Sequence, residues 1–96
     1  MMFKIAICDD ERAVCSEVEN ILKEIEKNFS IKLDVDVFFS GKEIYKFIRN
    51  GKYFDIIFLD IEMELMNGIE VGKKLRGDIA NETTQIIYIS SKENYA

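Results

Sequence analysis

Four consecutive apolar residues, Ile56-Ile57-Phe58-Leu59, run without interruption into a carboxylate, Asp60. A run this short, built from β-branched and aromatic residues, has the length of a strand. Its lack of alternation predicts that both faces are covered, as in the central strands of parallel sheets. In open α/β sheets the functional crevice lies beyond the carboxyl ends of the strands. Asp60 is therefore expected where a sheet presents chemistry. Phe3 to Cys8 repeats the arrangement: it is apolar on both faces and stops at Asp9-Asp10-Glu11.

The segments between and after these two strands alternate in period. Val14, Val18, Ile21, Leu22 and Ile25 recur at helical spacing, with Glu17, Glu19, Lys23, Glu24 and Lys27 facing away. Asp10 is the expected N-cap, with acids in the first turn suiting the helix dipole. Ile31, Leu33, Val35, Val37 and Phe39 alternate with Lys32, Asp34, Asp36 and Phe38, the pattern of an edge strand. Ser40 and Glu43 form a capping box that opens a short helix, with Ile44, Phe47 and Ile48 inward and Asn50-Gly51 at its end. The strand from Phe54 to Asp60 follows, then an irregular stretch, then a helix opened by Asn67 and Glu70 with Val71 and Leu75 on one face. Asp78 to Glu82 reads as a polar loop and Thr84 to Ser90 as a fourth strand. Ser91-Lys92-Glu93-Asn94 reads as the start of a helix, with Ser91 the better cap.

This β-α-β-α-β-α-β order with short connections specifies an α/β fold with a parallel sheet. The two acid-tipped strands belong together in the middle and the alternating strand outside, which gives the order 2-1-3-4. The fourth strand then sits at an edge although its pattern is that of a covered strand. The expectation is either a fragment of a larger domain or a second molecule lying against that edge.

The chain has 96 residues, room for one domain. Its 48% hydrophobic content suffices for a core, and its net charge of −5 argues against nucleic-acid or anionic-membrane binding. No stretch has the length and apolarity of a membrane span, and Met1-Met2-Phe3-Lys4 does not open a signal peptide, so a cytoplasmic location is expected. Cys8 and Cys15 fit neither a disulfide framework nor a metal spacing. The chain has no histidine, which removes Ser-His-Asp and Cys-His chemistry and histidine metal sites.

With the two acid-tipped strands adjacent, Asp9, Asp10 and Asp60 meet at one crevice. Each close carboxylate pair costs about 4 kcal/mol at an effective dielectric near 20. A divalent cation relieves that repulsion, and an all-oxygen set with few protein ligands suits Mg²⁺. Solvated strand ends and helix caps are the plainer explanation, and the one to prefer for any single aspartate. In the chemical reading Asp60 is a nucleophile that takes a phosphoryl group as an acyl phosphate. Ser90, at the end of the neighbouring fourth strand, donates to the phosphoryl oxygens.

Taken together, Asp9-Asp10 after the first strand, Asp60 with Met63 and Gly68 after the third, and Ser90 after the fourth resemble the receiver domain of two-component response regulators. Ile-Cys-Asp-Asp-Glu, Phe-Leu-Asp-Ile-Glu-Met and Ser-Ser-Lys-Glu-Asn-Tyr-Ala are most similar to receivers that precede LytTR-type DNA-binding domains. The resemblance spans residues 1–96 and implies a flavodoxin-like three-layer fold. It further implies that Asp60 accepts phosphate from a histidine kinase. Asp10, Asp60 and the backbone carbonyl of Glu62 would bind Mg²⁺, with Asp9 assisting through water, and Ser90 would follow the phosphoryl group. The domain would act as a phosphoacceptor rather than as an enzyme, and would control a DNA-binding output absent from this chain. Two departures stand out. Glu64 occupies the place of the family's proline, and the family's fifth strand, with its terminal lysine, and fifth helix are absent from the sequence. Lys92, two residues past Ser90, is no obvious substitute. A receiver truncated before the fifth strand, pairing or exchanging segments with a second copy along 84–90, is the resulting expectation.

Two rivals fail on their motifs. Ser40-Gly41-Lys42-Glu43 lacks the earlier glycine of a P-loop and its Ser or Thr. Cys8-Asp9-Asp10-Glu11 lacks the Asp-x-Asp of haloacid-dehalogenase-type phosphatases. A receiver-like interaction module that is never phosphorylated remains as the alternative.

Overall fold

The computed structural model describes residues 2–63, 67–77 and 83–90. The elements run β1 (Met2–Cys8), α1 (Arg12–Phe29), β2 (Lys32–Phe38), α2 (Gly41–Arg49), β3 (Ile56–Asp60), α3 (Gly68–Gly77) and β4 (Gln85–Ile89). The four strands form one parallel sheet in the order β2-β1-β3-β4, as the edge and centre patterns require.

The central strands bury both faces. Ala6 and Cys8 of β1 and Ile57 and Leu59 of β3 pack with Ile44 and Ile48 of α2 and with Val71 and Leu75 of α3. Ile5 and Ile7 point the other way, with Cys15 and Leu22 of α1. The result is a three-layer α/β/α sandwich, and burying each such side chain contributes about 1.5–3 kcal/mol. In β2 the alternation holds through Asp36, with Lys32, Asp34 and Asp36 exposed. It breaks at Phe38, which the alternation places outward but which is buried. Its ring lies 5.1 Å from that of Phe47 and 5.9 Å from that of Phe54, because α2 begins just beyond and covers that end of the strand.

Local hydrogen bonds account for the element boundaries. Ser40 Oγ accepts from the Glu43 N–H at 3.2 Å, and Glu43 Oε2 accepts from the Phe39 N–H at 2.9 Å, so the box closes one residue earlier than its usual form. Asn67 Oδ1 likewise accepts from the Glu70 N–H at 2.9 Å at the start of α3. The expectation for α1 needs correction: its N-cap is Glu11, which makes no side-chain cap bond, and no acid lies in the first turn. Asp10 lies one residue too early to cap: Glu11, extended at φ −96° and ψ 112°, is the residue from which the helix starts, and its own N–H donates to Asp9 Oδ1 at 2.8 Å. β3 starts at Ile56 rather than Phe54. Asp55 instead ties the sheet's lower end, accepting the Lys4 N–H on Oδ2 at 2.8 Å and donating its own N–H to the Lys4 carbonyl at 2.7 Å. β4 is an edge strand among the described residues, with Ile87 43% and Tyr88 44% exposed. The covered pattern of β4 thus faces open surface here. The polar loop at Asp78 to Glu82, the helix start at Ser91, and Glu64, Met66 and Lys92 lie outside the described residues.

Candidate functional site

The parallel register sets Cys8 beside Leu59, so the residues that follow, Asp9 and Asp60, emerge side by side. One carboxylate oxygen from each of Asp9, Asp10 and Asp60 lies within 4.8 Å of the other two. Asp9 is 1% and Asp60 3% exposed, whereas Asp10 is open to solvent.

Each buried aspartate is oriented by the same local device. Asp9 Oδ1 accepts the N–H of Glu11 at 2.8 Å, and Asp60 Oδ1 accepts the N–H of Glu62 at 3.2 Å. Both are turns in which an aspartate bonds the backbone two residues on. The strand ends are fixed as well: the Asp9 N–H donates to the Phe38 carbonyl at 3.0 Å, and the Ile61 N–H to the Ile89 carbonyl at 3.0 Å. Gly68 closes the far side of the Asp60 loop. Its N–H donates to the Ile61 carbonyl at 3.1 Å, and a Cβ at Gly68 would overlap the Asp60 carbonyl oxygen. Below the site Met63 is buried, its Sδ 3.6 Å from Cys8 Sγ.

Burial and crowding raise the proton affinity of the pair. Loss of solvent pushes Asp9 up to about 6; the Glu11 amide opposes this, and the charges of Asp60, Asp10 and Glu11 add to it. Asp60 is raised first by burial and also by Asp10, while the Glu62 amide and a hydrogen bond with Asp9 hold it down. The protein thus presents two buried acids that ionise together only at a cost. A cation beside them removes that cost.

The residues fit a hard divalent ion. All donors are carboxylate oxygens, and the exposed side at Asp10 leaves room for water ligands, which suits Mg²⁺. The two thiols do not join the set. Cys8 Sγ donates to the Ser40 carbonyl at 3.3 Å and Cys15 Sγ to the Asp9 carbonyl at 3.5 Å. Burial raises both, Cys15 to about 11 and Cys8 further, so neither offers the thiolate a soft metal needs.

The structure therefore brings Asp9, Asp10 and Asp60 together and places Glu62 beside them through its amide. Ser90 follows Ile89, the partner of Asp60 in the sheet. It shares a cleft of about 220 Å³ with Asp9, Val14, Glu17, Val18 and Ile89. What the sequence does not disclose is the supporting backbone: the amides of Glu11 and Glu62 belong to turns whose residue types are unremarkable. Gly68 stands out in the sequence as one half of Asn67-Gly68 and as part of the family resemblance, but neither discloses its close approach to the Asp60 carbonyl.

The model of the response regulator receiver domain family matches residues 5–96. The chain is 33% identical over 97% of its length to the response regulator ArlR of Staphylococcus saprophyticus, covering 38% of that protein. It is 30% identical over 97% of its length to the nisin biosynthesis regulatory protein NisR of Lactococcus lactis, covering 36% of it. The sensory transduction protein LytT of Oceanobacillus iheyensis is 30% identical over 99% of the chain, which covers 37% of that relative. The chain thus spans somewhat over a third of the length of these relatives. Among solved structures, the response regulator TrrA of Thermotoga maritima, in complex with Mg(2+)-BeF, superposes with a TM-score of 0.78 at 28% identity, over 98% of this chain and 74% of that one. A Vibrio cholerae chemotaxis protein, CheY4, shares the fold with a TM-score of 0.78 at 23% identity, over 96% of this chain and 71% of that one.

Proposed function

The chain belongs to the response regulator receiver domain family, and from that premise we propose that Asp60 accepts a phosphoryl group from a histidine kinase. The observation that carries this reading is the meeting of three carboxylates within 4.8 Å, two of them buried, at the carboxyl ends of adjacent central strands.

Asp10 and Asp60, with the Glu62 carbonyl, would hold Mg²⁺, and Asp9 would assist through water. When bound, the ion offsets the charge of the trio and of the transferring phosphoryl oxygens. That TrrA was solved with Mg(2+)-BeF supports the choice of ion. The Glu62 amide orients the Asp60 carboxylate through Oδ1. The bond from a carboxylate oxygen of Asp60 to phosphorus forms as the bond from phosphorus to the donor breaks, and the donor keeps that electron pair. Burial favours this attack, because an aspartate stripped of water carries less solvent into the reaction. Ser90, one residue past the partner of Asp60, would donate its hydroxyl to a phosphoryl oxygen and move with it, biasing the surface between two states. The domain acts as a phosphoacceptor and not as a catalyst for other substrates. It would control a DNA-binding output, of the LytTR type by its motifs, without binding nucleic acid itself.

A cytoplasmic setting accords with a kinase partner, and no described helix is long and apolar enough to cross a membrane. The exposed β4 edge would support homodimerisation by strand pairing or segment exchange. Sedimentation at high concentration should show self-association, and a strictly monomeric chain would remove that part of the reading.

Incubation with acetyl phosphate tests the phosphoacceptor role. Intact mass should rise by one phosphoryl group with Mg²⁺ present, and neither with EDTA nor in Asp60→Asn. A version extended through the family's fifth strand and its lysine that never gains mass would instead favour an interaction module that is not phosphorylated.

A further inference from the structure

At the site end of the sheet, β4 leads into Ser90 and is an edge strand among the described residues, so what fixes its position matters. Its backbone is tied to the Asp60 loop by the Ile61 N–H to Ile89 carbonyl bond at 3.0 Å. Its side chains meet α3 at an unusual place. Gly72 lies one helical turn after Gly68 on the same face of α3. A Cβ built on Gly72 would overlap the Tyr88 hydroxyl and stand 3.1 Å from Tyr88 Cζ. Glycine inside a helix is unfavourable relative to alanine, and here its missing side chain is the space that the tip of Tyr88 fills. Gly68 makes the matching approach to the Asp60 carbonyl. One face of α3 therefore receives both the loop of the phosphoacceptor and the strand that bears the serine.

We infer that Tyr88, seated in the notch at Gly72, is a positioning residue that sets Ser90 against Asp60. The inference rests on the phosphoacceptor reading and deepens it. Tyr88 is two residues before Ser90, so a shift in its seat is transmitted to the serine through two peptide units. Because Tyr88 is 44% exposed, its side chain has room to swing outward. Alanine at position 72 should thus unseat Tyr88 rather than displace α3.

The test is the rate of acetyl phosphate labelling, read beside Mg²⁺ affinity, in Gly72→Ala, Tyr88→Phe, Tyr88→Ala, Ser90→Ala and their combinations. Gly72→Ala should slow labelling roughly tenfold, since an ångström of misplacement is enough for that. Mg²⁺ affinity should stay at the wild-type value because the aspartates are untouched. Adding Tyr88→Phe to Gly72→Ala removes the overlapping hydroxyl and should restore most of the rate. Ser90→Ala should cost little more in the Gly72→Ala background, as both changes disable the same group. Tyr88→Ala leaves α3 intact and should slow labelling to the same degree, which keeps the idea testable if Gly72→Ala does not fold. A wild-type rate in Tyr88→Ala, or a loss in Gly72→Ala that Tyr88→Phe does not relieve, overturns the inference alone. A version extended through the family's fifth strand that takes no label on Asp60 overturns the phosphoacceptor reading, and this inference with it.

Discussion

Asp9 is a carboxylate held where its charged form is unfavourable, and that fixes the sign of its effect on stability. Its value rises from an ordinary 3.8 to about 6 on folding, chiefly through burial. The folded state therefore binds more protons than the unfolded state between those values. The stabilisation is complete below about pH 4 and is lost as pH rises through about 6. Urea unfolding in EDTA should show lower stability at pH 7 than at pH 4, by about 1 to 3 kcal/mol. Asp9→Asn should flatten that dependence; an unchanged slope would show that Asp9 is not the group responsible. Gly68 supplies a second residue-scale expectation. With a Cβ overlapping the Asp60 carbonyl, a backbone atom that cannot swing aside, Gly68→Ala should destabilise the fold by about 1–3 kcal/mol in the same measurement. A loss under about 0.5 kcal/mol, the range of ordinary surface changes, would contradict the close approach.

At the scale of elements, β2 shows how one strand serves two environments. Asp36 and Phe38 point to the same side, yet Asp36 is exposed while Phe38 joins the rings of Phe47 and Phe54. Phe38→Ala should cost about 3–5 kcal/mol, whereas Asp36→Ala should stay within about 0.5 kcal/mol, as followed by thermal or urea unfolding. Equal effects would mean that α2 does not cover that end of β2. The contrast also shows where sequence reasoning stopped. Alternation is a local signal and places Phe38 outward; only the docking of α2 turns it inward. The uninterrupted runs of β1 and β3 were legible because burial on both faces leaves no polar position. The caps at Ser40 and Asn67 were legible because each needs only residues three apart. The start of α1 was not, because the backbone stays extended through Glu11, a residue type that carries no capping signal. The same holds for the site. Three aspartates at strand ends can be read once the strand order is inferred, but the notch at Gly72 depends on a contact between α3 and β4 that no spacing encodes.

For the whole molecule, the sheet order couples stability to charge. Placing β1 beside β3 buries two acids at one crevice, so a divalent cation that binds the folded chain alone should stabilise it by mass action. Thermal unfolding at pH 7 should shift upward with Mg²⁺ and fall back with EDTA, while Asp9→Asn/Asp60→Asn should be insensitive to both. An equal Mg²⁺ shift in that variant would move the binding site elsewhere. Among the described residues the same order leaves β4 at an edge, paired with β3 from Gln85 to Ile89 and leading into Ser90, with Tyr88 seated against Gly72. The order thus sets Asp60 at the end of a central strand and Ser90 just past the end of its neighbour, an arrangement suited, on the phosphoacceptor reading, to converting a covalent change into a shift of surface.

The most direct measurement locates the phosphoryl group. Sodium borohydride reduces an acyl phosphate of aspartate to homoserine, so peptide mapping after labelling with acetyl phosphate and Mg²⁺ should find homoserine at position 60 and nowhere else. Phosphate that survives reduction as a serine ester, or homoserine at position 9 or 10 in place of 60, would contradict the account.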